Sequence, residues 1–244
     1  MIHNLFSLPI YLINLKDNID LSSIESHLLS EFNKFNNVES PLEKQNAKST
    51  YGYNSSLHLE PFSKKISEQV INHANLYWKI LDIDSRLSPE IDECWANIHG
   101  NEGFTVLHSH SLMPMVATLY VRADKNSGGI VFTNPMEYGI THIPYSVPIE
   151  QKIETTISVK SGDLLLFPGW IRHRTEENCS DTNRIVMSFN IKYSGKYLKS
   201  NTDYPDTSLH KHVSSEVEHL QNKILTQEFI IEDLKRNLTN ERKT

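Results

Sequence analysis

Apolar residues recur at helical spacing in the first third of the chain. Ser22 followed by Glu25 is a capping-box pattern, and the apolar residues after it predict a helix over about residues 23–35. A second apolar stripe predicts a helix over about residues 62–81. The segment between them is polar and interrupted by Pro and Gly, which predicts a long loop lying over a site. The stretch LPIYLINL, before the first helix, predicts an initial strand.

The period changes to that of β-strands from Cys94 onward. Short segments rich in β-branched and aromatic residues alternate with Gly, Pro, Asn and Asp. These segments are CWANIHG, TVLHSH, MVATLYV, GIVFTNP, TTISVK, DLLLFP and NRIVMSFNIKY. Several such strands within about 100 residues predict an antiparallel sandwich or an open barrel.

A different pattern occupies the C-terminal end of the chain. Apolar residues between Val213 and Leu238 follow the spacing of heptad a and d positions, with Gln227 at the single polar one. Residues 201–244 are therefore predicted to form a C-terminal helix. It would be either a coiled coil that mediates self-association or a long helix packed along its own domain. Residues 1–200 would then hold the β-domain and the N-terminal helices.

Composition and charge narrow the function classes. The formal net charge of the 244-residue chain is −6, which argues against a phosphate-binding surface and against nucleic acid as a partner. Cys94 and Cys179 are the only cysteines, so neither a disulfide framework nor a cysteine-based zinc site is expected, and a cytoplasmic location fits. No apolar run reaches the roughly 18 residues of a membrane helix, and the N-terminus lacks a basic leader, so no membrane contact is expected.

Three histidines and one arginine form the candidate chemistry. His108 and His110 are two residues apart in a predicted strand, so their imidazoles would share one face and could hold a metal ion. The chain has 12 histidines, so a chance His-x-His is not rare, and surface histidines are the alternative. His173 follows an apolar strand and could reach back over the sheet as a third ligand. Arg184 opens the next strand and presents a cation on the same face as Ser188.

In this order the residues resemble those of the 2-oxoglutarate- and Fe(II)-dependent oxygenases. In that superfamily a His-x-Asp/Glu pair and a distant histidine hold the iron, and a basic residue on the following strand anchors 2-oxoglutarate. The pattern is most similar to a subgroup of bacterial and phage oxygenases, over roughly residues 90–192. Its parts here are Trp95 and Asn97, His108 and His110, Tyr120, Phe132 with Pro135, LLFPGW with His173, and Arg184 before Ser188, Phe189 and Asn190.

The resemblance implies a fold, a ligand set and an activity. The fold would be α+β, with a double-stranded β-helix (jelly-roll, cupin-like) core, N-terminal helices and a C-terminal helix. Iron, as Fe(II), would be bound by His108, His110 and His173. The side chains that would hold the co-substrate 2-oxoglutarate are Arg184, Ser188, Tyr120 and Asn97. The reaction would be hydroxylation of a small-molecule, amino-acid or peptide substrate, with release of succinate and CO2.

His110 departs from the usual pattern of the superfamily, because most members have a carboxylate at that position. A neutral third ligand removes one negative charge from the metal site, so iron is expected to be held less strongly at neutral pH. If His110 occupies that coordination position, a halide finds no vacancy. Hydroxylation or a related oxidation is therefore expected rather than halogenation.

Two other functions fit the same sequence. One is a three-histidine, cupin-like dioxygenase that uses no co-substrate; such an enzyme has no need of Arg184 as a carboxylate anchor. The other is a non-catalytic β-scaffold that forms a homo-oligomer through residues 213–238.

The remaining conspicuous side chains are assigned to packing or to loops. Those predicted to pack in the core are Trp95, Phe132, Phe167 and Trp170. Asn190 is predicted to face the interior, where it would orient a ligand or satisfy a backbone group. His142 lies in a loop that could border the pocket and is not expected to be a ligand. The acidic residues that could attract a cationic substrate, although a solvated loop is the favoured interpretation, are Glu39, Glu43 and Glu60.

Overall fold

The computed structural model describes residues 8–34, 40–110, 112–137, 144, 146 and 153–194. All of these residues belong to the first of two compact units, Met1–Lys196 and Tyr197–Thr244, into which the chain divides. Several predictions lie outside the described residues: the C-terminal helix over 201–244 with its heptad positions 213–238, and the roles of His142 and Glu39.

The first helix, α1, is Leu21–Lys34, close to its predicted bounds. Its N-terminus differs from the prediction, because Asp20 is the cap. The Asp20 carboxylate accepts a hydrogen bond of 3.1 Å from the backbone N–H of Ser23. Ser22 lies inside the helix, so the predicted capping box is wrong.

The second helix, α2, is Lys64–Ile80 and follows a short 3-10 turn at Pro61–Ser63. Both helices pack their apolar stripes into one buried cluster with one face of the larger sheet. The buried residues of α2 are Ile66, Val70, Ala74, Tyr77 and Trp78. These buried residues follow the 3.6-residue period of an α-helix. The apolar pattern of the sequence therefore identifies both the helix and the face that it packs against the sheet.

The described residues form eleven strands in two larger sheets and one short pair. The strands are β1 (Tyr11–Asn14), β2 (Glu43–Lys44), β3 (Ala47–Ser49), β4 (Ser88–His99), β5 (Phe104–Thr105), β6 (Met115–Arg122), β7 (Ile130–Thr133), β8 (Glu154–Ile157), β9 (Asp163–Phe167), β10 (His173–Thr175) and β11 (Arg184–Ser194). The six-stranded sheet has the order β1-β9-β6-β11-β4-β3, and the three-stranded sheet has the order β10-β7-β8. The remaining pair is β2-β5, and all these pairings are antiparallel.

The larger sheet separates two apolar layers, because side chains alternate between its faces. On β11, Ile185 and Met187 pack toward the helices, whereas Val186 lies in a second cluster with Phe132 of the smaller sheet. The second cluster is the interior between the two sheets. This is the α+β double-stranded β-helix that the family resemblance implies, with the helices packed on the other face of the larger sheet.

The long loop between the helices contributes to this interior. It contains β2 and β3, and β3 pairs with the end of β4 through Ser49 opposite Asn97. Among the described residues, no helix is both long and apolar enough to cross a membrane.

The histidine segment is not the continuous strand that its composition predicts. Strand β5 ends at Thr105, and His108 forms only an isolated antiparallel bridge with His173. The two residues exchange backbone hydrogen bonds of 2.9 Å, and the N–H of His110 donates to the carbonyl of Gly169 at 2.7 Å. Backbone pairing across the sheet end, and not strand periodicity, therefore brings the histidines together.

Candidate metal centre

Three imidazoles converge at one end of the interior. His108, His110 and His173 each offer one ring nitrogen, and these three atoms all lie within 4.8 Å of one another. The ring centroids of His108 and His173 are 4.3 Å apart, and that of His110 is 5.1 and 5.4 Å from them. Three nitrogen donors around one point match the ligand set predicted for the metal.

The hydrogen bonds of two imidazoles fix which nitrogen faces the centre. Nδ1 of His108 lies 2.8 Å from the carbonyl of Val106, and Nδ1 of His173 lies 3.0 Å from the carbonyl of Ile171. A carbonyl oxygen can only accept, so both Nδ1 atoms carry the proton and both Nε2 atoms keep a lone pair. This is how proteins orient metal-binding histidines.

His110 is held in the same tautomer by two side chains, Asn190 and Glu93, which we call the relay. The carboxylate of Glu93 can only accept, so Asn190 must turn its amide nitrogen toward it, at 2.7 Å. The amide oxygen of Asn190 then faces Nδ1 of His110 at 2.6 Å, which makes that Nδ1 the donor. Glu93 thereby determines, through Asn190, that the lone pair of His110 is on Nε2. Asn190 was expected to orient a ligand or to satisfy a backbone group, and among the described residues its side chain bonds to His110 and Glu93.

Burial keeps these imidazoles neutral. Desolvation lowers the pKa of His108, lowers that of His110 to about 4, and lowers that of His173 well below the ordinary value. The charge of His108 lowers the pKa values of His110 and His173 further. At neutral pH the three Nε2 atoms are therefore unprotonated, as metal coordination requires.

Aromatic rings pack against the imidazoles. Trp95 stacks on His110 with ring centroids 5.7 Å apart and an interplanar angle of 16°. Phe167 contacts His173 edge-on at 4.8 Å and also packs against Phe132 at 5.0 Å. These three rings are buried as predicted, but the fourth is not: Trp170, in the turn after β9, is 48% exposed.

A cavity of about 390 Å³ opens beside the three imidazoles. It is large enough for a small molecule. Its lining combines apolar side chains, such as Leu42, Leu112, Met113 and Val116, with hydroxyl and amide groups on the inner face of the larger sheet. Ser40, Glu43, Ser49 and Tyr51, from the loop between the helices, also line it, so the predicted position of that loop over the site is confirmed.

Two of the four residues predicted to hold 2-oxoglutarate line this cavity. They are Ser188 and Asn97. The amide oxygen of Asn97 accepts a hydrogen bond of 2.6 Å from Ser49. Among the described residues, the amide nitrogen of Asn97 and the hydroxyl of Ser188 have no hydrogen-bond partner. Both groups can therefore donate to a bound ligand.

Arg184 is not among the residues that line this cavity, and it is fully buried. Its guanidinium donates to the carbonyls of Ser127 and Glu176, to the hydroxyl of Thr175 at 2.9 Å, and through Nε to His99 at 3.4 Å. One N–H of Nη2 remains without a partner among the described residues. Burial lowers the pKa of Arg184, yet its ordinary value is so high that the group stays charged.

Tyr120 is the fourth predicted residue, and it too is fully buried. Its hydroxyl has no hydrogen-bond partner, and burial raises its pKa to about 12. Arg184 is near enough to oppose that shift electrostatically. A buried cation and an unpaired buried hydroxyl thus occur together.

Sequence reasoning missed a buried polar network at the other side of Arg184. Since Arg184 can only donate, Nδ1 of His99 accepts and Nε2 of His99 donates to the carboxylate of Glu43 at 2.8 Å. Thr105 donates to the same carboxylate. Glu43 is therefore not a solvated loop residue, and its side chain is only 3% exposed. Strand alternation from Asn97 places His99 inside, but no local pattern marks Glu43.

The relay through Asn190 leads to a first testable expectation. Asn190→Ala should lower Fe(II) affinity by about 10- to 100-fold, because it removes the group that holds His110 in its metal-binding tautomer. Titration of the metal-free protein, monitored by calorimetry, measures this change. Asn75→Ala, at an exposed position on α2, is the matched control and should bind as wild type does. Wild-type affinity in the Asn190 variant would contradict the role assigned to the relay.

Comparison with known proteins gives a family match for part of the chain. Residues 93–190 match the model of a family described as "Putative 2OG-Fe(II) oxygenase". This segment contains the three converging histidines and Arg184. No curated protein sequence matches the chain.

Solved structures share the fold at low sequence identity. A prolyl-4-hydroxylase from Pseudomonas putida is 11% identical, with a TM-score of 0.51 over 78% of this chain and 95% of its own. The epimerase SnoN from nogalamycin biosynthesis, in complex with Fe3+, alpha ketoglutarate and nogalamycin RO, is 11% identical, with a TM-score of 0.51 over 82% of this chain and 87% of its own. The carbocyclase SnoK of the same biosynthesis is 9% identical, with a TM-score of 0.50 over 76% and 80%.

At these identities the solved structures establish the double-stranded β-helix and nothing finer. The family match supplies the link from the fold to the ordered sequence motifs. In residues 93–190, which contain the three histidines and Arg184, the chain is therefore similar to the 2-oxoglutarate- and Fe(II)-dependent oxygenases.

Proposed function

We propose that the chain is an Fe(II)- and 2-oxoglutarate-dependent oxygenase that hydroxylates a small molecule in the cavity beside His108, His110 and His173. The observation that carries the proposal is the state of the three imidazoles. Each has Nδ1 tied to an acceptor and Nε2 free toward a common point. Imidazole nitrogens suit Fe(II), although they suit several other metals as well, and the similarity of residues 93–190 to the oxygenase family favours iron.

The interior also fits 2-oxoglutarate. A dicarboxylate needs a cation and hydrogen-bond donors at its distal end, and a buried arginine suits a carboxylate. Arg184 provides a charge and one unpaired N–H, and Tyr120 provides an unpaired hydroxyl. Ser188 and Asn97 offer further donors at the cavity wall. A carboxylate placed among them would satisfy groups that otherwise stay unpaired, so the assignments of these four residues are kept as part of the proposal.

The residues of the chain would hold and orient the reacting groups. The three imidazoles would fix the metal on one side only, which leaves the cavity side open to ligands. The bound iron and 2-oxoglutarate would supply the oxidising chemistry with O2, and succinate and CO2 would leave as products. Trp95 and Phe167, packed on the imidazoles, would keep bulk water from the metal, and Leu112 and Met113 would face the substrate.

The first experiment is an anaerobic titration of the metal-free protein with Fe(II) and 2-oxoglutarate. A weak visible charge-transfer band that needs both components would support the proposed cofactor pair. Iron binding without the band would favour the cupin-like dioxygenase without a co-substrate. A folded protein that binds no iron would favour the third hypothesis, a non-catalytic β-scaffold. A cytoplasmic location and self-association through residues 213–238 are further predictions for this protein.

Tyr120→Phe separates the 2-oxoglutarate assignment from folding. The change removes a hydroxyl that makes no hydrogen bond in the protein, so the free energy of unfolding should stay constant or rise by about 1 kcal/mol. If that hydroxyl donates to 2-oxoglutarate, the concentration needed for half-maximal band intensity should rise about 10-fold. The kcat measured at saturating 2-oxoglutarate should change little.

Tyr77→Phe is the matched control for this variant. The Tyr77 hydroxyl, on α2, donates to the carbonyl of Pro9 at 2.6 Å. Its removal should lower stability by about 1 kcal/mol and leave the 2-oxoglutarate requirement unchanged. An unchanged 2-oxoglutarate requirement in the Tyr120 variant would reject Tyr120 as a ligand of the co-substrate.

A further inference from the structure

The cavity has an acidic charge on its wall. Among the described residues that line it, the side chains that carry a full charge are Glu43 and Glu93. Both are negative, and no lysine or arginine of the described residues lines the cavity. Glu43 already accepts from His99 and Thr105 and is buried, so its charge is committed to the protein.

Glu93 is differently placed. It is half-buried on β4 and accepts one hydrogen bond, of 2.7 Å to one of its two carboxylate oxygens, from Asn190. It forms no ion pair with any described residue. A carboxylate that is partly withdrawn from water and lacks a cation attracts one, because such an interaction is screened less than at an open surface.

Two aromatic rings stand beside this carboxylate. Glu93 and Trp95 are two residues apart on β4, so both project from the same face of the strand into the cavity. Tyr51 meets Trp95 edge-on, with ring centroids 5.0 Å apart, and Tyr51 is 44% exposed at the cavity mouth. A carboxylate beside two electron-rich rings is the combination that binds ammonium and guanidinium groups.

The rest of the wall is apolar. Leu42, Leu112, Met113 and Val116 line the cavity next to the imidazoles. The side chain of Asn190 bridges Glu93 and His110 by two hydrogen bonds, so a cation at Glu93 would lie beside the metal centre and not on it. A chain of a few carbons would then reach from the carboxylate along the apolar wall to the metal.

We propose that the substrate is an organic cation, a protonated amine or a guanidinium on an apolar stem, whose charged end binds between Glu93 and the rings of Tyr51 and Trp95. This inference rests on the proposed function and specifies the substrate class of the same cavity. The carbon that is oxidised lies on the stem, several bonds from the charged end. Glu93 is not among the acidic residues that the sequence suggested for a cation; of those, Glu43 lines the same cavity, but its carboxylate already accepts from His99 and Thr105.

The test compares three probes of equal length and different charge. Binding of n-pentylammonium, pentan-1-ol and pentanoate is measured by calorimetry, anaerobically, on the protein loaded with Fe(II) and 2-oxoglutarate. The ammonium should bind about 10-fold more tightly than the alcohol, and the carboxylate should bind most weakly. This comparison uses the wild-type protein alone, so it does not depend on how a variant folds.

Glu93→Gln then removes the charge. A glutamine oxygen can still accept from Asn190, and the probes are compared on protein that titration shows to be loaded with Fe(II). The preference for the ammonium over the alcohol should disappear. Asp92→Asn is the matched control: it makes the same change of charge one residue earlier, at a side chain that does not line the cavity and pairs with Lys192 at 2.7 Å. This variant should keep the preference.

Two results would overturn the inference. One is equal affinity for the ammonium and the alcohol in the wild-type protein, and the other is a preference that persists in Glu93→Gln. Either could occur while Fe(II) and 2-oxoglutarate bind normally, which would leave the proposed function intact. Failure of the protein to bind Fe(II) with 2-oxoglutarate would instead reject the proposed function, and this inference with it.

Discussion

His173→Ala is expected to abolish Fe(II) binding at any concentration that loads the wild-type protein. The imidazole lies 6% exposed between Phe167 and the other two ligands, and its removal leaves only two nitrogen donors at the centre. Loss of a group that merely orients a ligand costs about 10- to 100-fold in metal affinity, so loss of a ligand itself should exceed that range. Calorimetric titration of Fe(II) measures the change, and circular dichroism checks that the variant folds.

Variants at His27 and His110 serve as the control and as a test of the third ligand. His27→Ala, at an exposed position on α1, changes the number of histidines equally and should leave Fe(II) affinity unchanged. His110→Asp replaces the third imidazole by the carboxylate that most superfamily members have, so it should retain binding, whereas His110→Ala should not. Retained Fe(II) affinity in His173→Ala would show that the three imidazoles do not form the metal site.

The fold was predictable where a short-range periodicity survives in the structure. Strand β11 alternates between the two layers along its length, so the composition of NRIVMSFNIKY identifies both the strand and its inward positions. The stripe of α2 does the same for a helix. The cap of α1 was predicted wrongly because Asp20 and Ser22 are both good capping residues, and the choice between them depends on where the chain turns.

The convergence of the three histidines was predicted for a reason that is only partly right. Strand alternation suggests that His108 and His110 point the same way, but the segment leaves its strand at Thr105. What aligns the imidazoles is the bridge between His108 and His173, together with the bond from His110 to the carbonyl of Gly169. The spacing of His108 and His110 alone does not predict these long-range pairings. The order of the family motifs along the chain does, because it includes His173.

The residues around the ligands could not be predicted from local pattern. Glu93 and Asn190 are 97 positions apart and meet because the pairing of β4 with β11 sets them opposite each other. Glu43 reaches His99 across 56 positions through a two-residue strand with no apolar signature. Trp170 was misplaced for the opposite reason, because its composition suggests burial while its position in a turn exposes it.

Arg184 shows how the structure enlarges a predicted role. The sequence identifies a cation that faces the interior, and the structure adds that the guanidinium also ties together the segments around Ser127 and Glu176. Through the neutral ring of His99 it is linked to the carboxylate of Glu43. The positive charge of Arg184 and the negative charge of Glu43 are thus buried in one hydrogen-bonded chain. Removing only one of the two charges would leave the other buried without its partner, which costs stability.

Arg184→Met is accordingly expected to lower the free energy of unfolding by about 3–5 kcal/mol, measured by urea denaturation of the metal-free protein. The variant leaves the Glu43 carboxylate buried without a cation, and it leaves the carbonyls of Ser127 and Glu176 without their donor. Glu43→Gln alone should also destabilise, since it strands the charge of Arg184 while an amide oxygen still accepts from His99.

The double variant, Arg184→Met with Glu43→Gln, removes both charges and is the informative one. If the two residues form one electrostatic unit, the double variant should be more stable than the sum of the single changes predicts, with a coupling of about 0.5–3 kcal/mol. Strict additivity would mean that Arg184 stabilises the fold only through the carbonyls it binds. In that case His99 and Glu43 would be a separate polar cluster, and the charge of Arg184 would be independent of Glu43 and open to a carboxylate of 2-oxoglutarate.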